Sequence, residues 1–378
     1  MVGIEEGQPR RHVAIGGPRG DGRKQPEGGD EGETPGSGHK KVAHDSPPLW
    51  HCRVRPALYH RQSGGPKVAV SRRRNRPRPR LKPVAGHARQ KAMSVLKPPA
   101  RRTARVTTPD GIGIAAEAFG AEPFGTGTRP GIVFIHGFSQ SSLCWSRQTA
   151  SPFLSDFQMV TYDFRGHGAS DKPEDPARYK AAELWAGEVD AVIRAFGLER
   201  PVLVGWSYAG RIIGDYVATY GTKGISGIVF VDAVTANERR FYGSCNRLMR
   251  LMCSPDVAEN ITASRAFLRR CFANPIPQPL FELLFGVNML VPHHIRAALF
   301  DRVADYDALN RTLDVPALVV QGALDEVVAP AMAEHITEIV PNARLDLYEG
   351  VGHAPFLEAP ERFNAALAAF VREVAGKA

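Results

Sequence analysis

The 378-residue chain carries 48 Lys and Arg against 39 Asp and Glu, a formal charge of +9, and this excess sits at one end. Residues 1–92 hold 20 basic and 8 acidic side chains, leaving 28 basic and 31 acidic over the rest, so overall basicity is no sign of a nucleic-acid-binding face on the folded part. No run approaches 18 apolar residues, which excludes a helical membrane span, and five scattered cysteines (52, 144, 245, 253 and 271) without a C-x-x-C pair argue against a disulfide framework or a zinc site and suit a reducing cytoplasm.

Residues 1–92 contain 14 Gly and 11 Pro and show no sustained period of 2 or 3.6. Such a segment buries too little apolar surface to offset its ordering entropy, so a disordered basic leader is expected there. The arginine-rich run at 72–80 reads as a solvated tail, with a localisation or RNA-binding arm as the alternative. No apolar stretch follows the early arginines, so neither a secretory nor a twin-arginine signal is expected. Met93 precedes the first ordinary protein sequence and is the expected start of translation.

From there, residues 93–378 read as one domain. Residues 104–108 and 112–118, joined at Pro109-Asp110-Gly111, predict a hairpin. Residues 131–137 form a continuous apolar strand of the kind buried on both faces of a parallel sheet, and 158–163 form a second. A helical segment is expected around 146–154. The glycine turn at 164–170 lacks the third glycine of a nucleotide fingerprint. Trp185, Val189, Val192, Ile193 and Phe196 mark one helix face. Next comes a β-branched run ending in Gly205-Trp206-Ser207-Tyr208-Ala209, and apolar residues at 209, 212, 213, 216, 217 and 220 then repeat at helical spacing. A strand is expected at 225–231.

Residues 236–310 break this alternation, being long, apolar and helix-like without a strand pattern. Alternation resumes with a strand at 316–321, a helix at 330–340, a strand at 343–348 and a last helix bearing Phe363, Ala366, Leu367, Phe370, Val371 and Val374 on one face. The fold class is therefore α/β, a mostly parallel sheet with helices on both faces and a helical insertion after the sixth strand.

A serine between small residues at a strand-to-helix turn is either a helix cap or an exposed nucleophile. A nucleophilic hydroxyl needs a base within reach, and the base needs an orienting carboxylate. In open α/β sheets such groups collect after strands. Asp325 follows one strand and His353, set among glycines, follows the next, so the chain order is Ser, Asp, His. His136 and His167 read as structural. His293 and His294 are adjacent on a helix and do not face each other, so no metal site is expected.

The segments His136-Gly137-Phe138, Tyr162-Asp-Phe-Arg-Gly-His-Gly168, Gly205-Trp-Ser-Tyr-Ala209, Gly322-Ala-Leu-Asp325 and Gly352-His353-Ala-Pro-Phe-Leu-Glu-Ala-Pro-Glu361 resemble the α/β-hydrolase fold family. Ala209 departs from the glycine usual there. The resemblance implies Ser207 as nucleophile, His353 as general base and then acid, and Asp325 as the orienting carboxylate. It implies an oxyanion hole from the backbone N–H groups of Phe138 and Tyr208, and it makes Asp232 the alternative acid. It also implies that residues 236–310 are a cap over the site, and Phe138, Trp206, Tyr208, Phe267 and Phe285 are the expected pocket. The expected activity is cofactor-free hydrolysis of a small carboxylic ester or related acyl substrate. A cofactor-free haloperoxidase or perhydrolase is the enzymatic alternative, and a ligand receptor on the same fold is the non-enzymatic one. The expected partner is that small-molecule substrate, with neither nucleic acid nor membrane.

Overall fold

The structure, a computed structural model, describes residues 100–120 and 129–376. The leader expected at 1–92 and the start expected at Met93 lie outside the described residues. Eight strands are present: β1 (Ala100–Thr107), β2 (Gly113–Gly120), β3 (Gly131–Ile135), β4 (Gln158–Asp163), β5 (Val202–Trp206), β6 (Gly227–Val231), β7 (Ala317–Gly322) and β8 (Ala343–Tyr348). They form one sheet in the order β1-β2-β4-β3-β5-β6-β7-β8. β1 pairs antiparallel with β2, and β2 antiparallel with β4; the remaining pairs are parallel.

The central strands are short unbroken apolar runs because both faces of the sheet are covered. Within β3, Ile132 and Phe134 share a core with Phe363 and Leu367 of the helix Pro360–Ala375. Val133 and Ile135 point the other way, into the core that holds Val189 of the helix Ala182–Ala195 and Ile212 of the helix Ala209–Tyr220. This alternation is the two-residue period of a strand. The helix expected around 146–154 is instead two short turns, Ser146–Thr149 and Pro152–Leu154, with Pro152 removing a donor where a continuous helix would need one.

Between β6 and β7 the chain runs through the helices Asn246–Leu251, Val257–Arg270, Gln278–Met289, His293–Phe300 and Asp307–Asn310, with no strand in between. Among the described residues no single helix is long and apolar enough to cross a membrane.

The turn after β4 is held by a buried charge cluster. Arg165 is fully buried, its Nε paired with the equally buried Glu188 and its Nη1 and Nη2 3.0 and 3.1 Å from the Asp110 carboxylate in the β1–β2 turn. Its Nη1 and Nη2 also donate to Arg178 O at 2.8 Å and Leu184 O at 3.1 Å. One side chain thereby joins the edge hairpin, the β4 turn and the helix behind it. Breaking such a pair leaves a buried charge without its counterion. R165M is expected to cost about 3–5 kcal/mol in urea unfolding, and R165M/E188L to recover most of that loss.

Candidate active site

The four acidic or nucleophilic positions singled out from the sequence all stand at the carboxyl ends of parallel strands. Ser207 directly follows β5, Asp232 follows β6, Asp325 lies three residues beyond β7, and His353 five residues beyond β8. Ser207 has φ 58°, in the left-handed region, because the chain reverses sharply from strand into helix. Its N–H donates to Val231 O at 2.9 Å, and its carbonyl accepts from Gly210 N at 3.1 Å and Val234 N at 3.0 Å, so the turn is pinned on both sides. A Cβ at Gly205 would stand 2.6 Å from Ile213 Cδ1 and 3.1 Å from Ala209 O, which is why the residue two before the serine has no side chain. Ala209 itself is fully buried.

His353 connects the serine to one of the two acids. Its Nε2 is 2.9 Å from Ser207 Oγ, and its Nδ1 is 2.7 Å from Asp325 Oδ2. An acceptor carboxylate at Nδ1 assigns the proton to that nitrogen and leaves Nε2 as the acceptor facing the hydroxyl. The loop is held from several directions: Trp206 Nε1 donates to His353 O at 2.7 Å, and His353 N donates to Cys271 O at 2.8 Å. Glu358 ties Gly352 N (2.8 Å) to Asn274 N (2.9 Å), so the His loop and the 271–274 segment share one carboxylate.

The two acids sit in different surroundings. Asp325 Oδ1 accepts from Val327 N (2.7 Å) and Val328 N (3.0 Å), and Oδ2 accepts from Gln321 Nε2 (3.2 Å) as well as His353. Asp232 is completely buried at φ 44°; its Oδ1 accepts from Gly322 N at 2.8 Å while Oδ2 has no partner. Burial, with the Asp325 carboxylate beside it, pushes Asp232 well above the usual carboxylate range. The donor atoms of Asp232, Asp325 and His353 lie within 4.8 Å of one another, yet the imidazole bonds to Asp325 and not to the alternative acid Asp232.

Two further histidines hold the loop after β3. His136 Nδ1 donates to Gly137 O at 2.9 Å and its Nε2 accepts from Phe164 N at 3.3 Å, with the imidazole stacked on Phe164. His167 Nδ1 donates to Arg165 O at 3.0 Å and its Nε2 accepts from Ser139 N at 3.2 Å. Burial lowers His136 to about 4 and holds His167 well below its ordinary value, so both are neutral latches. They fix the loop bearing Phe138. Neither the Phe138 nor the Tyr208 backbone N–H has a protein acceptor among the described residues. His293 and His294 lie with ring centroids 5.6 Å apart at 88°, and His293 is exposed.

A cavity of about 210 Å³ opens on Ser207. Phe138 and Tyr208 line it, as do Val234, Leu299, Val327 and Val328. Three of the five expected pocket residues do not. Trp206 lies under the His353 loop, packed edge-on against Phe356 at 5.0 Å; Phe267 belongs to the core; Phe285 is covered by the Arg265 guanidinium at 4.2 Å. The 236–310 stretch contributes instead Asn246, Met249, Arg250 and Phe300. Arg211, one turn past the serine, also lines the cavity, although its place on the polar side of the helix pattern did not mark it.

Residues 132–366 match the family model described as the alpha/beta hydrolase family. The chain belongs to this family. The hydrolase is 36% identical to the X-ray structure of a putative aryl esterase from Burkholderia cenocepacia, with a TM-score of 0.69 over 73% of this chain and 100% of that one. It is 33% identical to an esterase from Rhodococcus sp. ECU1013, with a TM-score of 0.66 over 72% and 99% of the two chains. It is also 29% identical over 296 residues to a non-heme chloroperoxidase from Streptomyces lividans, covering 71% of this chain and 99% of that one. These likenesses support hydrolase chemistry in general. Because Nδ1 of His353 shares its proton with Asp325, the hydrolase is expected to show a far-downfield imidazole proton by NMR. D325N should lose that resonance and D232N should keep it; the reverse would make Asp232 the partner.

Proposed function

We propose that this hydrolase cleaves a small carboxylic ester through a covalent acyl-enzyme, with Ser207, His353 and Asp325 as the working residues. The observation that carries the reading is the continuous hydrogen-bonded path from Ser207 Oγ through the imidazole to Asp325, opening on a largely apolar cavity. Ser207 Oγ attacks the ester carbonyl carbon as its proton passes to His353 Nε2. The carbonyl oxygen becomes an oxyanion accepted by the N–H groups of Phe138 and Tyr208, donors that act most strongly on charge present only in the transition state. The C–O bond to the alcohol then breaks, and the imidazolium returns its proton to the leaving oxygen. A water, deprotonated by His353, attacks the acyl carbon and releases the acid, restoring the serine. Asp325 holds the imidazole in place and steadies the imidazolium.

The helices between β6 and β7 act as the cap in this reading, since they supply part of the cavity wall. Cys144, Cys245, Cys253 and Cys271 are free thiols, which supports a cytoplasmic location. Similarity to the Streptomyces chloroperoxidase favours one second reading, in which hydrogen peroxide replaces water in the deacylation step and the product is a peracid.

A fluorophosphonate probe is expected to label Ser207, as located by peptide mass mapping. S207A should abolish labelling and lower kcat on p-nitrophenyl butyrate by about 10⁴-fold or more; D325N should lower it by about 10³–10⁴-fold. An adduct on another residue, or full turnover by S207A, rules this mechanism out. No turnover across a broad ester panel would favour a receptor. Comparing peracid formation with plain hydrolysis separates the perhydrolase.

A further inference from the structure

The wall of the cavity over Ser207 contains three arginines, Arg211, Arg250 and Arg302, and no aspartate or glutamate. Their charges are differently engaged. Arg250 is exposed at the rim, its guanidinium 5.1 Å from the centroid of Phe300. Arg302 is 6% exposed; its Nη2 pairs with Asp215, which Tyr306 Oη also donates to, and its Nε donates to Lys180 O at 3.2 Å. Its Nη1 is buried without a partner among the described residues.

Arg211 is the unusual one. It is 7% exposed and, among the described residues, meets only neutral acceptors, Nη1 donating to Arg302 O at 2.8 Å and Nη2 to Tyr242 Oη at 2.9 Å. The guanidinium lies 5.4 Å from the Tyr208 ring centroid, and its Nε is buried without a partner among the described residues. Asp215 lies near enough to feel the Arg211 charge, and its Oδ1 is already engaged by Arg302 and Tyr306. Two buried guanidinium groups thus share one carboxylate. A buried cation short of a counterion is costly unless a ligand supplies the anion.

We propose that the cavity takes an ester that also bears a carboxylate, the carboxylate pairing with Arg211 and accepting a second hydrogen bond from Arg302. This deepens the ester-hydrolase reading and rests on it for catalysis. Only the ester bond is cleaved, water supplying the hydroxyl of the new acid and the proton of the alcohol; the recognised carboxylate is unchanged. Ser207 and Arg211, which stands in the first turn of the helix after it, line the same cavity of about 210 Å³, so the two ends of the substrate are joined by a short spacer. Arg250 at the rim draws the anion in and is the salt-sensitive part.

The test compares mono-4-nitrophenyl glutarate with p-nitrophenyl butyrate, and 4-acetoxybenzoate with its methyl ester, which places the anion on the acyl or the alcohol side. At least one anionic ester is expected to exceed its neutral counterpart tenfold or more in kcat/KM, mainly through KM. R211Q should lower that anionic-to-neutral ratio at least tenfold. Normal turnover of the neutral esters with no anionic preference overturns this proposal while leaving the ester-hydrolase reading intact. Calorimetry with glutarate and the wild-type protein needs neither catalysis nor a variant: binding at submillimolar Kd is expected, and its absence likewise overturns the proposal. If glutarate binds but neutral and anionic esters alike are inert, the anion site stands and the ester-hydrolase reading falls.

Discussion

The whole site depends on one backbone torsion. Ser207 occupies the left-handed region at the end of a buried central strand, a conformation that costs on the order of 1–3 kcal/mol for a residue with a side chain. The strand cannot relax it, because β5 is paired on both sides, to β3 and to β6. The helix cannot either, because the serine carbonyl is bonded to Gly210 N and to Val234 N beyond β6. What this strain secures is position: the hydroxyl stands clear of the chain, within reach of an imidazole carried by another strand end.

The second constraint is how two neighbouring carboxyl groups are told apart. Asp325 collects four donors, two backbone N–H groups, one side-chain amide and the imidazole. Asp232 is completely buried beside that carboxylate, which favours its protonated form, and its single donor, the Gly322 N–H, only partly opposes this. The first is the carboxylate that holds the imidazole, and the second, behind it, is a weaker acid than usual. The same sorting applies to the histidines. His136 and His167 are buried among backbone partners and stay neutral, holding the loop that carries Phe138.

The helices between β6 and β7 are tied to this machinery at two places. Cys271 O receives the His353 backbone N–H, and Glu358 bonds Asn274 and Gly352 together. A Cβ at Gly352 would come within 2.7 Å of Ala273 N, so the two segments touch backbone to backbone. The inserted helices and the imidazole loop are therefore joined at that seam. The far side of the same insertion supplies Arg250, Phe300 and, just beyond the helix His293–Phe300, Arg302, which join Arg211 in the cavity wall.

Much of this was written in local pattern. Unbroken apolar runs announce strands covered on both faces, and the turn residues around Ser207 announce a serine set apart from its helix. The order Ser207, Asp325, His353 follows from looking only after strands. What local pattern leaves open is everything that depends on lateral distance. Asp232 and Asp325 both follow parallel strands, and only the placement of the β8 loop across the strand ends makes Asp325 the imidazole's partner. Trp206, Phe267 and Phe285 are aromatic and apolar wherever they stand; folding put one beneath the His353 loop, one in the core and one under an arginine. Arg211 is a polar position in an amphipathic helix, and it becomes a buried cation because Arg302, 91 residues later, closes over it. Periodicity reports which face of an element is buried. What that face meets is decided by contacts between residues far apart in the chain, and these exist only once it has folded.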